Sequence, residues 1–199
     1  VPMDHPLLIL ASASPRRQEL LASAGIVFEI IPSEADEGTR QGESPEEYVK
    51  RLARDKAADV AEKHRHRWVL AADTIVVIDG SILGKPKDPP EAREMLERLS
   101  DQEHRVITGY CILHSSSGKR REERVITRVR FKRLSPEEIQ HYLDTGEPFD
   151  KAGAYAIQGK AAFMVKEIWG SYTNVVGLPL CEVIEDLEEL GAVDLLGKS

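Results

Sequence analysis

The stretch WVLAADTIVVIDG, residues 68–80, limits the possible folds more than any other part of the chain. Trp68 to Ala72 is a nearly continuous apolar run, as expected of a strand buried on both faces. IVVI and ILG then flank Asp79-Gly80, a strong signal for a two-residue hairpin and so for antiparallel pairing. Strand and helix patterns alternate along the rest of the chain. The expectation is an α/β protein in three layers, with a mixed sheet flanked by helices. At 199 residues the chain is read as one domain, 1–199.

The remaining elements follow from periodicity and punctuation. Residues 7–11 form a short apolar strand. A helix over 15–23 is stopped by Gly25 in the left-handed cap. A strand at 27–31 leads into a polar, acidic loop at 32–43, and a long helix spans 45–63. A helix fits 89–99, where Ala92, Met95, Leu96 and Leu99 recur at helical spacing. Two long strands, 104–114 and 123–133, are joined by the Ser/Gly loop 115–118. Helix 136–144 ends at Gly146, a strand covers 161–168, and a terminal helix covers 179–190 with Gly191 after it.

Charge narrows the function. The formal net charge is −7, with 41% hydrophobic and 31% charged residues. That balance argues against nucleic-acid or anionic-membrane partners, which need a basic surface. An anionic small ligand stays possible, because a few cations or a metal can dominate one cleft. Cys111 and Cys181 lie in apolar patterns and read as buried free thiols, not a disulfide framework. No apolar run approaches the roughly 20 residues a membrane span needs. The opening VPMDH lacks a basic region followed by an apolar one, so no signal peptide is expected, and the cytoplasm is the simplest location.

Ser-Pro opens a helical pattern three times, at Ser14-Pro15, Ser44-Pro45 and Ser135-Pro136. Each Ser suits the N-cap and each Pro the first helical position. The second and third continue Glu-Glu, so that Glu47 and Glu138 complete capping boxes and favour the dipole. The first continues Arg16-Arg17, where a cation costs roughly 0.3–1 kcal/mol. A helix start with free N–H groups and two guanidinium forks suits an anion, above all phosphate. The alternative is that these arginines pair with acids such as Glu19 or point to water.

Three polar residues break apolar patterns, and such breaks tend to mark function. Asp73 lies between two apolar runs and needs a charged partner. It can bind a metal or act as a general base, or be a structural Asp bonded to amides at a strand break. Lys56 lies four residues from both Leu52 and Val60, on the inward stripe of helix 45–63 with Val49 and Ala53. It either snorkels outward or reaches an anion. Lys85, in ILGKPKD, sits in an extended turn before Pro86 and is either solvated or a phosphate ligand. The acidic loop adds Glu34, Asp36 and Glu37. Asp36, Glu37 and Asp73 can serve a hard cation such as Mg²⁺; otherwise the loop is simply solvated.

Other chemistries find little support. The chain has no Walker A loop, no G-x-S-x-G elbow, no H-E-x-x-H and no Cys/His zinc spacing. KAGAYAIQGKAAF, 151–163, is rich in small residues around Tyr155 and Ile157. Gln158 there can read the edge of a base, or bond to backbone as a loop glutamine.

LASASPRRQELL, RLARDKA, AADTIVV with ILGKPKD, GEPFDKAGAYAIQG and GSYTNVVGLPL together resemble the Maf family of nucleoside triphosphate pyrophosphatases, in family order and over nearly the whole chain. The resemblance implies an α/β fold akin to the inosine-triphosphate pyrophosphatases, a twisted mixed sheet with two lobes around a cleft. It implies hydrolysis of a nucleoside triphosphate to monophosphate and pyrophosphate with a divalent cation, Mg²⁺ or Mn²⁺. Asp73 is then the catalytic acidic residue, as base, metal ligand or both, and Glu37 joins it at the metal. Phosphates are held by Arg17, Lys56 and Lys85, with Ser14 at the helix start. The family's branches differ at positions that are here Arg16, Thr74 and Gln158. A branch preferring 7-methyl-GTP has Trp after the signature Pro and Glu at the last position. Arg16 and Gln158 therefore imply the dTTP/UTP branch, and family analogy implies a homodimer. The rival readings are a phosphatase releasing orthophosphate and a nucleotide binder without turnover.

Overall fold

The computed structural model describes residues 7–195; the VPMDH stretch, read above for a signal peptide, lies outside them. Seven strands form one mixed sheet: β1 Leu8–Leu10, β2 Phe28–Ile30, β3 Trp68–Ile78, β4 Ser81–Leu83, β5 Glu103–His114, β6 Lys119–Phe131 and β7 Val165–Trp169. The order is β2-β1-β3-β5-β6-β7, with β4 pairing β3. β1 runs parallel to β2 and β3, whereas β3/β4 and β6/β7 are antiparallel. The helices are α1 Pro15–Ser23, α2 Pro45–Lys63, α3 Pro89–Leu99, α4 Pro136–Asp144, α5 Tyr172–Val176 and α6 Leu180–Leu190. No helix of the described residues is long and apolar enough to cross a membrane.

The chain divides into two compact units. The first holds the residues up to Asp73, Thr108–Arg124 and those from Gly177 onward; the second holds Thr74–Ile107 and Val125–Val176. Three of the four boundaries fall inside β3, β5 and β6, and the fourth follows α5.

In the first unit, Ile9, Val69, Ala71 and Cys111 pack against Ala53, Ala57, Val60 and Ala61 of α2. Small residues on α2 bring its backbone close to the sheet. At the closest approach, a Cβ on Gly109 of β5 would stand 2.4 Å from the Val49 carbonyl oxygen, so only glycine fits. Cys111 is buried as expected, and burial pushes its thiol up to about 12. Cys181 is exposed instead. It sits at the second position of α6, off the stripe that buries Val183 and Leu187.

In the second unit, α3 buries Ala92, Met95, Leu96 and Leu99, as the spacing predicts. Asp79 (φ 49°) and Gly80 (φ 73°) are both left-handed, the conformation a two-residue hairpin needs, and Ile78 pairs with Ser81. Two expectations need correction. The apolar runs either side of Asp73 are one unbroken strand, Trp68–Ile78. The strand expected over 161–168 begins only at Val165, because Lys160–Met164 is a 3₁₀ helix burying Ala161 and Met164, three residues apart on one face.

Candidate active site

The three Ser-Pro helix starts differ as their sequences do. Ser44 and Ser135 each form a full capping box, with Glu47 and Glu138. Ser14 accepts only the Arg17 amide, at 3.4 Å, and no acid lies in the first turn of α1. The Arg17 side chain bonds to two groups beyond its own helix. Its Nε donates to the Gly177 carbonyl at 2.7 Å and its Nη1 to Ser12 Oγ at 3.3 Å. Ser12 Oγ also accepts the Ser14 amide at 3.2 Å, which ties the end of β1 to the start of α1. Burial lowers the Arg17 pKa. The charges of Asp73 and Glu37 oppose that fall, and Arg16 adds to it. Arg16 is itself half-buried.

On α2 the stripe Val49, Leu52, Ala53 and Val60 is buried, and Lys56 lies within it. Lys56 does not snorkel. Its Nζ stands 2.8 Å from Asp73 Oδ1 and 2.8 Å from Glu37 Oε1. The Lys56 and Asp73 side chains are 13% and 14% exposed, that of Glu37 63%. Burial works against the ammonium, but Asp73 and then Glu37 outweigh it and hold the Lys56 pKa above its ordinary value. Asp73 therefore has the charged partner that its apolar setting demands. Its place inside β3 removes the alternative of an Asp at a strand break.

Glu37 is the loop acid that meets this lysine. Asp36 turns back onto the Gly38 amide at 3.3 Å, and Glu34 is held through its own amide by Asp59 Oδ2 at 2.8 Å. The loop is fastened to α2 by side chains that the sequence alone did not single out. Tyr48 OH donates to the Glu37 carbonyl at 2.9 Å, Arg51 Nη2 to the Gly38 carbonyl at 2.8 Å, and Ser33 Oγ to Asp59 Oδ2 at 2.8 Å. The available signal was the recurrence of Tyr48, Arg51, Asp55 and Asp59 at helical spacing, a second polar stripe that reads as a solvated face.

The other expected site residues belong to the second unit. Thr74 follows Asp73 on β3 and is half-buried. Lys85 is exposed in the turn after β4 and lines, with Lys87, Glu91 and Arg98, an open hollow of about 310 Å³. Gln158 is exposed at the tip of the turn before the Lys160–Met164 helix. Within this unit their segments are joined. The Gly153 amide donates to the Gly84 carbonyl at 3.1 Å, and a Cβ on Gly153 would meet Val76 at 2.9 Å. Both oxygens of Glu147 accept the Lys160 amide, at 3.1 and 3.0 Å, which pins the turn carrying Gln158.

Residues 7–190 match the family model for Maf-like proteins. The chain belongs to the Maf-like family. The dTTP/UTP pyrophosphatase of Geotalea uraniireducens is 56% identical to this Maf-like chain over 187 residues, 94% of this chain and 96% of that one. That of Syntrophotalea carbinolica is 54% identical over 197 residues, covering 98% and 90%. The solved structure of a HAM1 protein from Coxiella burnetii shares the α/β fold, with a TM-score of 0.50 at 18% identity over 92% of this chain and 98% of that one.

The donor set of this Maf-like site suits a divalent cation. Glu37 and Asp73 bring hard oxygens from separate segments to one cation position, now taken by Lys56 Nζ. Mg²⁺ commonly uses one or two carboxylates and completes its shell with water and substrate phosphates. Among the described residues no group of three or more His, Cys, Asp or Glu side chains could hold a metal without such help.

Proposed function

We propose that the chain hydrolyses dTTP and UTP to the monophosphate and pyrophosphate, using a divalent cation. The observation that carries this reading is the meeting of Lys56 with Asp73 and Glu37, in whose field Arg17 also lies. Two cations and two carboxylates there match the charge pattern of a triphosphate and its metal. The names of the relatives supply the substrate class.

Phosphates enter at the start of α1. Its N–H groups, Ser14 and Arg17 hold them there, and Lys56 shares the load from α2. Lys85 is assigned to phosphate, and Arg16, Thr74 and Gln158 to the choice of base. Glu37 and Asp73 would hold Mg²⁺ or Mn²⁺, which would supply charge neutralisation. Asp73 orients the attacking water and accepts its proton. The water oxygen bonds to the α-phosphorus, the bond from that phosphorus to the bridging oxygen breaks, and pyrophosphate leaves with the electron pair. Catalysis then rests on positioning and on preorganised charge. The same reading carries a cytoplasmic, homodimeric enzyme with neither nucleic acid nor membrane as partner.

The test is product analysis on a nucleotide panel with and without Mg²⁺ or Mn²⁺. Metal-dependent pyrophosphate from dTTP and UTP is the expected result, lost in Asp73→Asn. Orthophosphate as the first product overturns the reaction, and binding without turnover overturns catalysis altogether. Arg16→Trp with Gln158→Glu is expected to move preference toward 7-methyl-GTP, and an unchanged preference removes the assignment of those positions.

A further inference from the structure

We infer that Arg51 is a positioning residue for Glu37, a role that rests on the proposed metal site. Glu37 lies in a loop without regular structure between β2 and α2, longer than most such connections. Its side chain is 63% exposed, yet its Oε1 meets Lys56 Nζ at 2.8 Å. An exposed acid in a loop of this length holds one direction only if its backbone is fixed.

The fixing comes from α2. Two successive carbonyls, those of Glu37 and Gly38, accept from Tyr48 OH and Arg51 Nη2. Arg51 is 7% exposed and grips Glu43 with a fork, Nε to Oε1 at 2.6 Å and Nη2 to Oε2 at 2.9 Å. Glu43 is itself 11% exposed and accepts the Arg40 amide at 3.4 Å. The fork raises the Arg51 pKa and lowers that of Glu43. A buried, doubly hydrogen-bonded ion pair is an expensive way to hold a surface loop, because both ions must leave water. Here it ties Gly38 and Glu43, which follow Glu37 in the loop, onto the helix that presents Lys56. One rigid element thus sets the backbone that aims Glu37 and the cation it meets.

Arg51→Lys tests this, since it keeps the charge but cannot make the planar fork. Two measurements are needed: hydrogen exchange of the 34–43 amides without metal or nucleotide, and the Mn²⁺ dependence of pyrophosphate release. The expected result is faster loop exchange and a half-saturating Mn²⁺ concentration raised about 10-fold, with the rate at saturating Mn²⁺ within about 3-fold of wild type. Unchanged exchange overturns the inference. So does faster exchange with unmoved Mn²⁺ dependence, which would make Arg51 a purely structural tie. Should R51K fail to fold, Glu43→Gln, which keeps the partner's shape and weakens the fork, carries the same test. Wild-type protein that turns over no nucleotide overturns the proposed reaction instead, a result distinct from either outcome at Arg51.

Discussion

Lys56 and Asp73 show how one misplaced charge in a pattern can be read as half of a pair. Each is nearly buried, and each would be costly alone. Lys56→Met leaves the Asp73 carboxylate in an apolar strand without its cation, and we expect a loss of about 3 kcal/mol in urea unfolding. Adding Asp73→Leu removes the orphaned charge and is expected to return most of that stability. Pyrophosphate release should stay lost in both proteins, because the double variant restores packing and not chemistry. A double variant no more stable than Lys56→Met would show that the pair does not account for the burial of either group. Arg17 follows a related logic. Its guanidinium donates to the Gly177 carbonyl and to Ser12 Oγ, and the charges of Asp73 and Glu37 support it against burial.

At the scale of elements, the helix starts separate stability from function. α4 begins with a complete capping box, Ser135 accepting the Glu138 amide at 3.2 Å and Glu138 accepting the Ser135 amide at 2.9 Å. Ser135→Ala is expected to cost about 1 kcal/mol and to leave turnover unchanged. α1 begins with one long bond and no acid. Ser14→Ala should cost less stability than that, yet lower turnover by about 10-fold or more, since the first turn of α1 is the proposed phosphate site. Thermal melts and pyrophosphate assays on the two variants compare them directly. The reverse pattern, with Ser14→Ala the more destabilising and the more active, would show that α1 is an ordinary capped helix. Gly109 marks the same division in the sheet: it is there so that α2 can lie against β5 and deliver Lys56, whatever the chemistry.

Across the whole molecule, much of the architecture was readable because its signals are local. Ser-Pro and Asp-Gly fix helix starts and a hairpin within a few residues, and the helices over 15–23, 45–63, 89–99 and 136–144 end where their patterns do. The 3₁₀ helix at Lys160–Met164 was not readable, because a short apolar run carries no decisive period. In the site, Lys56, Asp73 and Arg17 stood out by violating their surroundings. Arg51 and Ser12 did not, since an arginine on a polar helix stripe and a serine before a helix start read as solvated whatever carbonyl, amide or carboxylate they meet. His104 escaped notice for a similar reason. Only folding places it, 2% exposed, with Nε2 2.6 Å from Tyr155 OH and its ring edge-on to Phe131 and Tyr155. Burial lowers its pKa from 6.5 to about 4. Between those values the unfolded chain takes up a proton that the folded chain refuses. The stability this group contributes is therefore complete above pH 6.5 and is lost as pH falls toward 4. Going from pH 7 to pH 5 should cost about 2 kcal/mol through this residue. The carboxylates with lowered values, Glu43, Glu47, Glu137 and Glu138 with Asp59, lose their contribution only below their unfolded values, 4.5 for the glutamates and 3.8 for Asp59, so pH 5 isolates the histidine. Urea unfolding at both pH values should show that drop in the wild type and a flatter response in His104→Gln, whatever the variant's starting stability. Equal slopes in the two proteins would mean that the folded chain accommodates the charged imidazole after all.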